Sequence, residues 1–383
     1  MNKKENLLII DPEPTSIVHK LLYFLKDHYN ITFISLSKRC DKSEFEKLGI
    51  ETYVFNFQGQ RYLRDKKIIQ GLKETFKFLK KIREIKKGRF DVVLARTEPN
   101  LVGYFLFKIF KGSKKVYFPY DISLFRFGQN TKKRSKLDIF AEKYCFQKAD
   151  LIIHKGPENE LNLIKKYEIN NILAKRINFL PYCFDQWLSK INKPKDKLPN
   201  INLVYIGGLD GNDPRYKLQW QDLFRIMTKD NGMYLHCYCL DPIEKINNKQ
   251  IVMHKPLSNQ ELNKVMGKYQ YGTNIFFHNK IVDNRWVKTS LSNKFFSFLE
   301  AGIPIIVNDE LEFMAKLVKK YHCGVVVSEK DFYNLKDILS KQNYPKLLLG
   351  VKRARKEFLM NKHIPRLIKA LNKKINCPPL LLN

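Results

Sequence analysis

Residues 292–307, "SNKFFSFLEAGIPIIV", place a lysine at the start of a helix. Ser292 and Asn293 are good N-cap types, so the helix begins near Lys294. Free N–H groups at a helix start bind anions, but a lysine there meets the positive end of the helix dipole. A phosphate held between the two reconciles them; a lysine pointing into solvent is the plainer alternative. Gly207 and Gly208 end the apolar run "LVYIGG". They either let the backbone approach a diphosphate or form a tight turn. Carboxylates follow apolar runs in the first half: Asp11 and Glu13 in "IDPEPTS", Glu98 in "ARTEPN" and Asp121 in "FPYDIS". Each suits either a general base that takes a proton from a hydroxyl or a loop cap. Asp121, flanked by apolar segments, is favoured ahead of Glu98.

These residues need elements to position them. The first half alternates short apolar runs with helical periods: "NLLII" (6–10), "ITFISL" (31–36), "TYVFNF" (52–57), "DVVLA" (91–95), "KVYFPY" (115–120) and "LIIH" (151–154) read as strands. Residues 66–87 read as a long amphipathic helix, with 68, 69, 72, 76, 79 and 82 as its packing face. The alternation stops at "INKPKDKLPNIN" (191–202), which is polar with two prolines, and then restarts with "LVYIGG". The pattern predicts an α/β chain of two Rossmann-like domains whose parallel sheets face each other across a cleft. The expected first domain spans 1–190, a linker 191–202, a second domain 203–360, and a C-terminal helix in 361–383 that crosses back to the first.

Composition limits the function. Among 383 residues, 44% are hydrophobic, enough for sizeable cores. No apolar run reaches the roughly 18 residues of a spanning helix. The N-terminal run is short and cut by Asp11 and Pro12, which predicts a first strand in a cytoplasmic protein and not a signal peptide. Seven scattered cysteines without a Cys-x-x-Cys read as reduced thiols, and no histidine spacing suggests a metal site. The net charge of +32 predicts attraction to polyanions. Segment 61–89 carries twelve Lys/Arg against three acids, and "FGQNTKKRSK" (127–136) adds a basic loop. Both suit an anionic membrane surface. Without a helix-turn-helix pattern or an RNA-binding aromatic motif, nucleic acid is an unlikely partner.

Six segments in order resemble glycosyltransferases of the B-type fold, the family 4 group and its relatives in particular. They are "FDVVLARTEPNLVGYFLFKI", "FAEKYCFQKADLIIHKGPENE", "INFLPYCFD", "INLVYIGGLD", "TSLSNKFFSFLEAGIPIIV" and "DELEFMAKLVKKYHCGVVV". The resemblance spans nearly the whole chain. It implies a nucleotide-sugar donor bound by the second domain at Gly207, Gly208, Ser292, Asn293 and Lys294. Base recognition would fall near "MHKPLSNQEL" (253–262). Two departures stand out. The paired glutamates of family 4 fall on Thr289 and Ser297, and Glu300 lies three residues late. The arginine that often follows the strand-end glycine is absent, and Arg215 and Lys217 are the nearest basic residues. The expected function is sugar transfer to a saccharide or lipid-linked acceptor in cell-surface polysaccharide or glycolipid synthesis. Without the glutamates, an inverting reaction with one general base is expected. Without an Asp-x-Asp pair, no metal or other cofactor is expected. The protein would be peripheral on the inner face of the plasma membrane. A nucleotide-sugar epimerase of the same fold and a non-catalytic polyanion binder are the alternatives.

Overall fold

The computed structural model describes residues 4–13, 15–55, 57, 68–85, 89–96, 100–119, 136–156, 175–191, 200–207, 227, 232–239, 248–275 and 288–372. The chain divides into two compact units, Met1–Leu180 with His363–Asn383, and Pro181–Lys362. The division precedes the linker expected at 191–202, because residues 181–190 pack within the second unit. Cys183 N donates to Phe358 O at 2.8 Å, and Phe184 N donates to Glu300 Oε1 at 2.7 Å.

The first unit holds a seven-stranded sheet. Its strands are β1 (Glu5–Asp11), β2 (Tyr29–Ser35), β3 (Glu51–Val54), β4 (Val92–Ala95), β5 (Lys114–Tyr117), β6 (Leu151–His154) and β7 (Lys175–Asn178). The order is β3-β2-β1-β4-β5-β6-β7, and every pairing is parallel. Parallel strands need crossovers and are covered on both faces, so they read as continuous apolar runs. Leu7, Leu8, Ile9 and Ile10 of β1 and Val92, Val93, Leu94 and Ala95 of β4 are all buried. The chain leaves β1 in opposite directions toward β2 and β4, so the β1/β4 boundary is the switch point where such sheets open a crevice.

A buried ion pair closes that point. Asp11 ends β1, Arg96 follows β4, and the Arg96 Nη1 donates to Asp11 Oδ2 with both side chains out of solvent. Arg96 N also donates to Ile10 O at 2.9 Å, which fixes the two strand ends together. The guanidinium lies 5.5 Å from the Phe118 ring centroid. Burial pushes the Asp11 carboxyl up to about 6 in spite of the opposing pull of Arg96.

The second unit holds β8 (Ile201–Ile206), β9 (Met233–Tyr238), β10 (Ile251–His254), β11 (Tyr271–Asn274), β12 (Ile305–Asn308) and β13 (Gly324–Val327). Their order is β10-β9-β8-β11-β12-β13, again all parallel, with the switch point between β8 and β11. Both sheets thus have the doubly wound order expected of Rossmann-like units.

The helix Ile68–Ile85 corrects one expectation. Thr75, Phe78, Leu79 and Ile82 form its packing face, whereas Ile69 and Phe76, read as packing residues from the sequence, are exposed. Residues at 75, 78, 79 and 82 recur at the same helical period as the expected set, so spacing alone does not choose between the faces.

Removing the arginine tests the first switch point. Breaking a buried pair typically costs about 3–5 kcal/mol, so Arg96→Leu should lower stability on that scale at pH 7. The Asp11 pKa should then rise further, so the loss should shrink at pH 5, where the carboxyl can take up a proton. Urea denaturation at the two pH values checks both; equal losses at each would contradict the pairing.

Candidate functional site

The second unit's switch point is built from β8 outward. Tyr205 is fully buried near the end of β8, and Gly207 follows with φ +121°, a conformation that strains any residue with a Cβ. Gly207 N donates to Tyr238 O at 3.2 Å, holding the turn against β9. Against this turn lies the side chain of Lys294. A Cβ on Gly207 would stand 2.8 Å from Lys294 Cε, so the lysine stem would have to shift to admit it.

Lys294 comes from the helix Asn293–Ala301. Ser292 is its N-cap, and its Oγ accepts from Lys294 N at 3.1 Å. Lys294 Nζ donates to Tyr205 Oη at 3.0 Å and lies 4.4 Å from the ring centroid. The residue is half-buried, and its amine is the enclosed end. Burial pushes that amine down to about 8, opposed by the Cys239 thiol nearby. A cation is thus held where water solvates it poorly, and an anionic ligand would restore its preference for the charged state. The side-chain Oδ1 of Asn293 is buried without a hydrogen-bond donor among the described residues.

Three contacts fix this helix. Gly272 of β11 gives room to Phe298, whose ring would lie 2.3 Å from a Cβ there. Gly302 ends the helix in the left-handed region at φ +80°, and its N–H donates to Phe298 O and Leu299 O. Arg355 then satisfies the helix's last carbonyls. It donates to Leu299 O, to Glu300 O at 2.6 Å, and to Ser189 O at 2.8 Å.

Thr289, Ser297 and Glu300, singled out in the sequence, are all placed by the structure. Ser297 Oγ donates back to Asn293 O at 3.3 Å, and Thr289 is buried. Glu300 is fully buried, and its Oε1 accepts from Phe184 N, so it is a structural carboxylate. Near the expected base-recognition segment, His254 stacks on Tyr238 with centroids 4.5 Å apart, and His254 Nε2 is 3.0 Å from His236 Nδ1. Burial pushes His236 down to about 4, with help from His254, so at neutral pH the pair is uncharged.

Of the residues picked out in the sequence, Gly207, Ser292, Asn293 and Lys294 come together. Gly208, Arg215, Lys217, Glu98 and Asp121 lie outside the described residues. Asp11 is described and paired with Arg96. Sequence reasoning missed Tyr205, Arg96 and Arg355; each sits next to an apolar run, but its partner comes from a distant segment. Among the described residues no His, Cys, Asp and Glu cluster could hold a metal, and no helix is long and apolar enough to cross a membrane.

Two doubly wound units of this topology define the B-type glycosyltransferase fold. The chain is similar over 96% of its length to the whole of a sucrose-phosphate synthase from Thermosynechococcus elongatus, with TM-score 0.66 and 12% identity. It is similar over 95% of its length to 99% of HepE from Anabaena, solved with UDP and glucose, with TM-score 0.59 and 14% identity. A putative UDP-N-acetylglucosamine 2-epimerase from Listeria monocytogenes is similar in fold at TM-score 0.58 and 10% identity, with 98% of each chain covered. No protein-family model matches the chain, and no curated protein matches its sequence.

The fit between Gly207 and Lys294 gives a direct test. Gly207→Ala should cost about 1–3 kcal/mol from backbone strain alone and should push the lysine off Tyr205. Thermal unfolding and the titration of the Lys294 amine by NMR check this. An alanine variant with unchanged stability and an unchanged Lys294 titration would contradict the packing.

Proposed function

We propose that the protein is a glycosyltransferase that moves a sugar from a nucleotide-sugar donor to a saccharide or lipid-linked acceptor in cell-surface polysaccharide or glycolipid synthesis. The observation that carries this reading is the enclosed Lys294 amine beside Gly207 at the β8 switch point. The leaving group of such a transfer is a nucleoside diphosphate, whose growing negative charge must be stabilised. Lys294 and the start of the helix Asn293–Ala301 would hold it, with Gly207 and Gly208 giving the backbone close approach. Arg215 and Lys217 would add charge from the segment after β8.

The acceptor hydroxyl attacks the anomeric carbon, the bond from that carbon to the diphosphate oxygen breaks, and the hydroxyl proton passes to a carboxylate. We assign that base to Asp121, ahead of Glu98. With Thr289 and Ser297 at the positions of the paired glutamates, a single displacement with inversion is the outcome, and neither a metal nor another cofactor is required. HepE, solved with UDP and glucose, and the Staphylococcus aureus MnaA–UDP structure support a uridine nucleotide among the donors to try first. The basic segments 61–89 and 127–136 support a position of the first unit on the anionic inner face of the plasma membrane.

Incubation with a panel of nucleotide sugars and short lipid-linked acceptors tests the reading. A glycosylated acceptor should form with an anomeric configuration opposite to the donor's, read by proton NMR of the fresh product. Asp121→Asn should lower turnover by about a hundred- to ten-thousandfold and leave donor affinity unchanged. A retained configuration would overturn the mechanism. An epimerised nucleotide sugar, formed with no acceptor present, would overturn the transfer itself.

A further inference from the structure

The helix Ile68–Ile85 exposes a stripe that its packing does not use. Ile69, Lys73, Phe76, Lys80 and Arg83 follow at spacings of four and three, which places them on one helical face. Ile69 is 74% exposed and Phe76 is 69% exposed. Both side chains stand in line with the cations of the stripe. Along the helix Lys77 pairs with Glu74 at 3.7 Å and Lys81 with Glu84 at 3.0 Å. Lys73, Lys80 and Arg83 have no carboxylate partner among the described residues.

The surface continues beyond the helix. Phe76, Leu79 and Arg83 line an open groove of about 1300 Å³ together with Phe105 and Lys108. Tyr104, next to Phe105, packs against Phe140 at 5.7 Å and Tyr144 at 4.7 Å. Lys108 Nζ lies 5.1 Å from the Tyr144 centroid, and Phe140 is itself 54% exposed. Aromatic rings and lysines thus alternate across one face of the first unit.

We infer that this face is seated in an anionic bilayer by insertion and not by charge alone: Ile69 and Phe76 enter the acyl boundary while Lys73, Lys80 and Arg83 meet lipid phosphates. Charge complementarity selects the occupant, since a chain of net charge +32 carries the stripe and an anionic leaflet attracts it. Shape agrees, because an amphipathic helix with apolar residues between long basic ones lies in the interfacial plane. The stems of the basic residues reach past the apolar layer, leaving their charged ends among the headgroups. The inference rests on the membrane-facing reading of the first unit and adds the apolar anchors to it.

Vesicle co-sedimentation separates the two contributions. The probes are phosphatidylcholine vesicles with and without phosphatidylglycerol, at low and high salt. The full chain should bind the anionic vesicles, and a part of that binding should persist at high salt, where charge is screened. Ile69→Ser with Phe76→Ser should lower partitioning by at least about tenfold, given the worth of burying such side chains, and should remove the salt-resistant part. Lys73→Gln, Lys80→Gln and Arg83→Gln together should lower low-salt binding by on the order of a hundredfold. All five residues are exposed, so thermal midpoints should stay near wild type. If the serine variant keeps the salt-resistant binding of the wild type, insertion through Ile69 and Phe76 is wrong. If the wild-type chain ignores both vesicles, or binds only an oligonucleotide added in competition, the insertion and the membrane-facing reading both fall. Sugar transfer to a water-soluble acceptor is a separate readout and would survive that result.

Discussion

The second unit is organised around a cation in a poor place for a cation. Lys294 carries its amine into the enclosed end of β8, against the ring and hydroxyl of Tyr205, and burial lowers its pKa to about 8. Much of the surrounding architecture serves that placement. Gly207 adopts a conformation that other residues avoid and leaves space for the lysine stem. Gly272 lets the helix lie close on β11, and Gly302 with Arg355 closes the helix's other end. A side chain held on Tyr205 in this way is preorganised for a ligand that brings negative charge.

The two sheets share one topology and resolve their switch points differently. In the first, Asp11 and Arg96 neutralise each other across β1 and β4, which makes that point a locked joint between strands. In the second, the cation's partner among the described residues is a neutral phenol. A doubly wound sheet provides the crevice in either case; the side chains at the strand ends decide whether it is filled by the protein or held for a ligand. This contrast, and not the fold, is the physical argument for a donor site in the second unit.

Much of the fold was legible because parallel strands buried on both faces are written as continuous apolar runs. "NLLII" and "LIIH" match β1 and β6 closely. The strand β7, "KRIN", has a single apolar residue and gave no such signal. The Lys294 site was legible through local chemistry, the Ser292 cap and the glycines after β8. Tyr205, Arg96 and Arg355 were not, since their roles depend on pairings between segments far apart in the chain. The helix Ile68–Ile85 shows a different limit: its apolar residues fit two faces, and only the burial of Phe78 and Ile82 shows which one packs. The structural use of Glu300 could not be read from the sequence, because its partner Phe184 is distant in the chain.

The central claim is that Lys294 becomes the counter-charge of a bound diphosphate. A lysine with a pKa of about 8 is mostly neutral at pH 8.5, and binding an anion must draw a proton onto it. Isothermal titration calorimetry of a panel of nucleoside diphosphates at pH 8.5, in two buffers of different ionisation enthalpy, counts that proton. The account predicts that the tightest binder takes up a substantial fraction of a proton, and that the uptake disappears in Lys294→Met. Binding without proton uptake in the wild-type chain, or the same uptake in the methionine variant, would contradict it.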